Sequence, residues 1–266
     1  MKVKTKLGFT LVEVALFLAA TGILFIGIVA GIQGSMFQQR YNDSVQSFAE
    51  FLRTTYSQAI NVQNSKAAGG GRTEKAVYGK LIVFNGESSE AINSYTVIGD
   101  IQSNNSSDCA DDNGTLGALK CRNANIYEVG GGGNATLAGI SEEYYPRWQS
   151  RIETTKGWDE NNKYEVFNGA ILIVRHPNSG TVFTYVLHDD ENNSVNVAVG
   201  GDENPLTPFL EADDNGFEIK QVDFCVDPNG NTKKGIRRDI RILQGARSAA
   251  GVKIIDQDGE DNKCAE

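Results

Sequence analysis

Residues 8–32 have the sequence GFTLVEVALFLAATGILFIGIVAGI, and this stretch decides how the chain is organised. From residue 14 to residue 32, nineteen consecutive residues carry no charge. At about 1.5 Å per residue, a helix of that length spans roughly 28 Å, close to the thickness of bilayer hydrocarbon. Lys2, Lys4 and Lys6 precede it, and positive charges mark the cytoplasmic side. The stretch predicts a single-pass cell membrane protein with a cytoplasmic N-terminus.

Glu13 is a carboxylate placed at the head of this apolar stretch. A charge at membrane depth costs a few kcal/mol unless it is paired or close to an interface, so its presence indicates function. The alternative is an ordinary secretory signal peptide that ends near Val29-Ala30-Gly31. Signal peptides usually have shorter apolar regions, of about 7–15 residues. Glu13 and the length of the stretch therefore favour a retained helix.

The basic leader, Gly8 and the run Phe9-Thr10-Leu11-Val12-Glu13 before an apolar helix resemble the prepilin signature of type IV pilins, pseudopilins and competence pilins. The resemblance implies cleavage between Gly8 and Phe9 by a prepilin peptidase and methylation of the Phe9 amine. It also implies that Glu13 pairs with the Phe9 ammonium of a neighbouring subunit, which would remove both charges from apolar surroundings. The implied partners are other pilin or pseudopilin subunits, the inner-membrane assembly platform and the lipid bilayer before assembly. The implied product is an extracellular or periplasmic filament.

The helix is predicted to continue beyond the membrane. Apolar residues recur at spacings of mostly three and four, with charged residues between them, which is typical of an amphipathic helix. They are Phe37, Tyr41, Val45, Phe48, Leu52 and Ala59. We interpret residues 1–8 as a leader, 9–32 as the transmembrane or filament-core helix and 33–66 as its amphipathic continuation.

Residues 67–266 are predicted to form an extracellular β-rich domain. Short runs rich in β-branched and aromatic residues, bounded by Gly, Asn, Asp or Pro, predict strands at 77–84, 91–98, 170–175, 181–188, 194–199, 217–226 and 236–243. Residues 104–157 are interpreted as an insertion. The body weakly resembles that of H-type pseudopilins and related minor pilins. The expected fold is α+β and pilin-like, with a long N-terminal helix packed on an antiparallel sheet or sandwich.

Four cysteines lie beyond the apolar stretch, in a compartment where disulfides persist. Three pairings are open. We favour Cys109 with Cys121 and Cys225 with Cys264. Zinc is the alternative, but no pair has the spacing of two to four residues that is typical of zinc sites.

The rest of the sequence offers little catalytic chemistry. His176 and His188 lie in no nucleophile or metal motif, so no enzyme activity, metal or cofactor is expected. Acidic loops before Gly114 and near the C-terminus leave calcium as an alternative, without an EF-hand register.

One basic segment stands out in a chain of net charge −9. It contains Lys233, Lys234, Arg237, Arg238, Arg241 and Arg247. Clustered cations of this kind hold phosphates in DNA-binding proteins, so a minor pilin for DNA uptake is an alternative function. An adhesive minor pilin that binds a surface ligand is the related alternative. An exposed strand face, on which Arg237, Asp239 and Arg241 alternate with Ile240 and Ile242, would produce the same pattern, and so would salt bridges to an acidic neighbour.

Overall fold

The computed structural model describes residues 10–61, 75–85, 91–100, 114–122, 124–126, 142–155, 164–188, 206–210, 221–228, 237–255 and 264. The chain divides into two compact units, Met1–Asn42 and Asp43–Glu266. The fold is α+β, with an N-terminal helix followed by antiparallel sheets.

Helix α1 (Leu11–Ile60) belongs to both units. In the first unit its large apolar side chains from Leu11 to Phe37 include many exposed ones, such as Leu11 and Phe25, whereas Tyr41 is buried. In the second unit one stripe of the helix is buried completely, and its residues recur every three or four positions. They are Val45, Phe48, Leu52, Tyr56 and Ala59. Because this spacing places the residues on one face of a helix, most of the stripe predicted from the sequence forms part of the core, whereas Phe37 at its start is exposed.

Among the described residues, six strands form the larger sheet. They are β1 (Lys75–Asn85), β2 (Ile92–Asp100), β3 (Asn125–Ile126), β4 (Glu142–Tyr144), β7 (Asn168–Arg175) and β8 (Val182–His188). Their order is β3-β2-β1-β7-β8, and β4 also pairs with β2. All the pairings are antiparallel. Buried β-branched residues dominate β7, the strand next to β1, as expected for a central strand with both faces covered.

The second sheet has five strands in the described part of the chain. They are β5 (Arg151–Thr155), β6 (Tyr164–Val166), β9 (Val222–Asp227), β10 (Arg238–Ile242) and β11 (Val252–Ile255). They follow the order β11-β10-β9-β5-β6 and are antiparallel throughout. Asp223, Cys225 and Asp227 alternate along β9 with Phe224 and Val226, so one face of this sheet is polar and the other apolar.

Phe48 of α1 joins the helix to both sheets. Its ring meets Phe84 of β1 edge to face at 6.4 Å and Phe224 of β9 edge to face at 5.7 Å. Phe167, just before β7, lies edge to face against both Phe84 and Phe224. Edge-to-face contacts at these separations are favourable for aromatic rings. The core of the second unit is therefore centred where α1 contacts the two sheets.

Two short helices pack against the larger sheet. Helix α2 (Gly114–Cys121) and helix α3 (Thr207–Leu210) contribute Leu116, Leu119 and Phe209 to a buried cluster that also contains Leu81 of β1. The sequence analysis did not predict either helix.

Six predicted strands correspond to observed ones: β1, β2, β7, β8, β9 and β10. The strand predicted at 194–199 lies outside the described residues. The range 104–157, interpreted as an insertion, supplies α2 and the strands β3 to β5, and β4 and β5 belong to different sheets. These strands were not predicted from the sequence, because they are short and rich in polar residues.

Candidate assembly surface

Thr10 fixes the start of helix α1. The Glu13 backbone N–H donates to Thr10 Oγ1 at 3.3 Å, and the Val14 N–H donates to the Thr10 carbonyl at 3.2 Å. Thr10 is thus the N-cap, and Glu13 occupies the third helical position, as in a capping box. A Thr followed three residues later by Glu before an apolar run is a sequence signal for this motif, and the sequence analysis overlooked it.

Glu13 is exposed in the single chain, at the end of the helix where the helix dipole favours an acid. Gly8 and Phe9, the predicted cleavage pair, lie outside the described residues. The predicted pairing of Glu13 with a Phe9 ammonium is an intermolecular contact, which a single chain does not contain.

The first part of α1 presents an apolar surface. The window Leu11–Val29 has a mean hydropathy of 2.4 and is 0% buried within the chain. Exposed side chains include Leu16, Phe17, Ile23, Leu24, Phe25 and Ile26. Contiguous apolar surface of this extent marks a site of membrane or protein contact. The helix is long and apolar enough to cross a membrane, which agrees weakly with single-pass anchoring.

The hydroxyl of Thr21 on this surface is satisfied within the helix. The Thr21 hydroxyl donates a hydrogen bond that the Phe17 carbonyl, at 2.8 Å, and the Leu18 carbonyl, at 3.1 Å, share. A hydroxyl bonded in this way needs no water, so it is compatible with lipid or with another helix. At Gly27 and Gly31 a β-carbon would meet nothing within 4 Å. These glycines leave shallow places on the surface where another backbone can approach closely.

No family model, curated protein or solved structure matches this chain. The family resemblance therefore depends on the residues around Gly8, Phe9 and Glu13, together with the exposed apolar helix that follows them.

The predicted basic segment is only partly described, since Lys233 and Lys234 lie outside the described residues. Arg241 on β10 forms ion pairs with Asp239, at 2.9 Å, and with Asp223 of β9. The register places Arg241 opposite Asp223, which explains the second contact. Asp239 is fully buried, so Arg241 compensates a carboxylate that has no access to water.

Arg237 is held in the same way. Its guanidinium lies 3.1 Å from a carboxylate oxygen of Asp227 and 3.5 Å from one of Glu153. Farther along the chain, the Arg247 guanidinium lies over the Phe183 ring, 5.8 Å from its centroid. Arg238 is half-buried in β10. Both Arg237 and Arg241 are therefore engaged with neighbouring acids, the arrangement that the sequence offered as the alternative to DNA binding.

Glu153 shares its surroundings with a second acid. Burial raises the pKa of Glu153, and the nearby Asp227 carboxylate raises it further. Arg237 and Arg151 act in the opposite direction. The polar face of the smaller sheet thus contains a buried carboxyl group that takes up a proton more readily than an exposed one.

Cys225 and Cys264 form a disulfide across a sequence separation of 39 residues, the pairing that the sequence analysis favoured. Cys225 lies on β9 and is fully buried, as is Cys264. The bond ties a residue near the end of the chain to the polar face of the smaller sheet. Cys121 is also disulfide-bonded, and Cys109 lies outside the described residues.

The two histidines are placed differently by the structure. The His176 Nδ1 accepts the backbone N–H groups of Asn178 and Ser179, each at 3.2 Å, so this side chain stabilises the turn after β7. His188 is the last residue of β8. Within the described residues, no group of three His, Cys, Asp or Glu side chains is arranged to hold a metal ion.

A protruding turn connects the two sheets. We call residues 145–149, between β4 and β5, the aromatic turn. Tyr145 is 59% exposed and Trp148 is 51% exposed. Trp148 and its neighbour Gln149 both have positive φ, 57° and 59°. A left-handed conformation costs a non-glycine residue about 1–2 kcal/mol, so the surrounding structure must hold this backbone in place.

Both ends of the aromatic turn are fixed to α1. On one side the Tyr144 ring stacks on Phe51, with centroids 4.8 Å apart and planes 20° apart. On the other side the buried Ser150 hydroxyl is hydrogen-bonded to that of Ser44. Ser150 also closes the turn by donating its backbone N–H to the Arg147 carbonyl at 3.1 Å. The turn is therefore positioned from both sides and presents its aromatic side chains to the exterior.

Proposed function

We propose that this protein is a structural subunit, a minor pilin or pseudopilin, of a type IV pilus or a related type II secretion-like filament. It is inserted in the membrane through α1, trimmed between Gly8 and Phe9, and assembled through the same helix. The second unit is displayed outside the cytoplasm on the filament.

The observation that carries this proposal is the exposed apolar half of α1, headed by Glu13. Such a surface must be shielded from water. Lipid shields it before assembly, and neighbouring helices shield it afterwards. The carboxylate at its head requires a cation once the helix leaves water. A neighbouring copy whose Phe9 amine is free supplies that cation.

The deciding experiment is mass spectrometry of the mature N-terminus in membrane and filament fractions. The expected mature chain begins at Phe9 and carries one methyl group on its amine. A mature terminus after Gly31 would identify a secreted protein that has lost its helix, and the proposal would then be wrong.

A pair of substitutions separates the charge of Glu13 from its place in the helix cap. Glu13→Gln retains the capping pattern, because Gln also serves at this position, but it removes the negative charge. We expect the variant to remain in the membrane and to enter filaments at least about tenfold less well, because a buried ammonium would lose its partner.

The matched control is Thr10→Ala, which removes the hydroxyl that caps the helix and leaves the Glu13 charge in place. It should cost about 1 kcal/mol of local helix stability and leave incorporation close to that of the wild type. Incorporation of Glu13→Gln at the wild-type level would refute the pairing role.

A further inference from the structure

The aromatic turn has the composition of a protein-binding surface. Within five residues it exposes Tyr145, Arg147 and Trp148. Tyr, Trp and Arg are the side chains most enriched at the energetic centres of protein interfaces. Because the turn is fixed by its contacts with α1, little conformational freedom is lost when a partner binds. The strained backbone at Trp148 and Gln149 therefore positions the exposed indole in advance.

Arg147 gives the turn a positive charge that no described residue matches with a salt bridge. Of the residues that the structure describes, none forms a salt bridge with this exposed guanidinium. The chain as a whole is acidic, with 34 Asp and Glu residues against 25 Lys and Arg residues. A second copy of the same chain is consequently a source of complementary charge.

A matching surface lies on helix α1 of the second unit. Its exposed face contains Asp43, Gln46, Glu50 and Thr54, which recur at spacings of three and four. The two acids are seven residues apart, so along the helix axis they are separated by roughly 10 Å. Neither acid forms a salt bridge within the described ranges. This acidic face is polar, ordered and open to solvent.

We propose that the aromatic turn of one copy docks on the acidic face of α1 in the next copy, with Arg147 beside Asp43 and Glu50. The two surfaces are different parts of the chain, so the contact is heterologous. A heterologous contact repeats without closing on itself if its rotation does not form a ring, which is the symmetry that a filament needs. This inference rests on the proposed function and names the surfaces through which the second units of neighbouring subunits meet.

The test uses the full chain in membranes, with a benzophenone side chain replacing Trp148. Irradiation should give a cross-linked product of twice the chain mass, and the cross-linked peptide should contain residues 43–54. Arg147→Glu should lower the yield at least about tenfold, because like charges would then face each other. Asp43→Lys combined with Glu50→Lys should lower the yield similarly. All three substitutions together should restore it to within about threefold of the original level.

Lys253→Glu is the control, because it reverses an exposed charge on β11 without touching either surface. It should leave the yield unchanged. A cross-link to lipid, a cross-link to a different protein, or failure of the combined variant to recover would each overturn the proposal. The N-terminal mass reports on the proposed function separately. A chain that begins at methylated Phe9 but gives no dimer cross-link would disprove only the docking contact.

Discussion

Arg241 is a buried charge in the smaller sheet, and neighbouring carboxylates compensate it. Its guanidinium contacts Asp223 across the β9–β10 pair and the fully buried Asp239 on its own strand. Taking such a group out of water is unfavourable unless the opposite charge lies close by with good geometry. A residue that composition alone assigns to DNA contact thus has a structural partner.

We expect Arg241→Ala to lower the free energy of unfolding by about 3–5 kcal/mol, because Asp239 would stay buried after losing this cation. Urea unfolding of the purified chain measures the change. Arg247→Ala provides the comparison, since that side chain contacts the Phe183 ring at the surface and should cost at most about 1 kcal/mol. Equal effects of the two substitutions would contradict the role assigned to the ion pairs. Lower DNA binding by Arg241→Ala would also need this stability control before it indicated a phosphate contact.

Glu153 should make stability depend on pH. Burial raises its pKa in the folded chain, so the folded state holds this proton more tightly than the unfolded state does. The resulting stabilisation is complete below the unfolded pKa of about 4.3, and it is lost as the pH rises through the folded pKa. We therefore expect Glu153→Gln to gain stability relative to the wild type between pH 4 and pH 7.

Urea unfolding of both proteins at the two pH values measures this difference. Glu50→Gln is the control, because Glu50 is exposed on α1. If Glu153→Gln lost stability relative to the wild type as the pH rose, the assignment of the raised pKa would be wrong.

At the scale of elements, helix α1 has two different surroundings along its length. Its second part is held by more than apolar contact. The Arg53 guanidinium donates to the Val252 carbonyl at 3.1 Å and 3.2 Å, and the Tyr56 hydroxyl lies 2.9 Å from that of Thr184. Burial raises the pKa of Tyr56 to about 12, so this hydroxyl stays neutral and keeps its hydrogen bond at physiological pH. These links orient the helix on both sheets.

We expect Phe48→Ala to lower the free energy of unfolding by about 3–5 kcal/mol, because it removes the ring that contacts both sheets and leaves a cavity. Glu50→Ala, two residues farther along the same helix, changes an exposed side chain and should remain within about 0.5 kcal/mol of the wild type. Denaturant unfolding monitored by circular dichroism distinguishes the two. Similar losses of unfolding free energy for both variants would show that any substitution in this part of the helix destabilises the chain. The buried stripe would then have no special role.

Local patterns account for the parts of this fold that were predicted. The uncharged run and the spacing of Phe48 and Leu52 identified α1, which was expected over residues 9–66 and is observed as Leu11–Ile60. Strand β7, full of Ile, Leu and Val, was equally clear. The pairing of β1 with β7 joins segments about 90 residues apart, and no local pattern encodes it.

The candidate functional sites also divide into those that a local sequence pattern predicts and those that depend on long-range pairing. The residues around Glu13 could be singled out from the sequence, because an acid in an apolar stretch is rare. The ion pairs of Arg241 depend on the register of β10 against β9, which sets Arg241 opposite Asp223. The aromatic turn gave no sequence signal, because the left-handed backbone at Trp148 follows from anchoring at Tyr144 and Ser150.

At the scale of the whole molecule, the two units differ in what surrounds them. The second, Asp43–Glu266, contains the sheets, the described disulfide and the fully buried stripe of α1. The first contains the exposed apolar surface. Apolar burial stabilises the second unit internally, whereas the exposed apolar surface of the first marks a site of membrane or protein contact.

A chain that begins at Asp43 should therefore fold without the first unit. Asp43 would serve as the N-cap of the shortened helix, since Asp is favoured at that position. We expect a soluble protein with a single cooperative unfolding transition, whereas the full chain partitions into membranes. Sedimentation and thermal circular dichroism test this expectation. An aggregated or unfolded product would show that the second unit depends on the segment before it.

The burial of α1 in the second unit has a mechanical consequence. A pull along the axis of this part of the helix acts together on Val45, Phe48, Leu52 and Tyr56, which are fully buried in the core. Sliding the helix out would require these side chains to leave the core together, with the load spread over several turns in shear. Under the filament proposal, tension on a subunit would thus be opposed by the whole buried stripe at once.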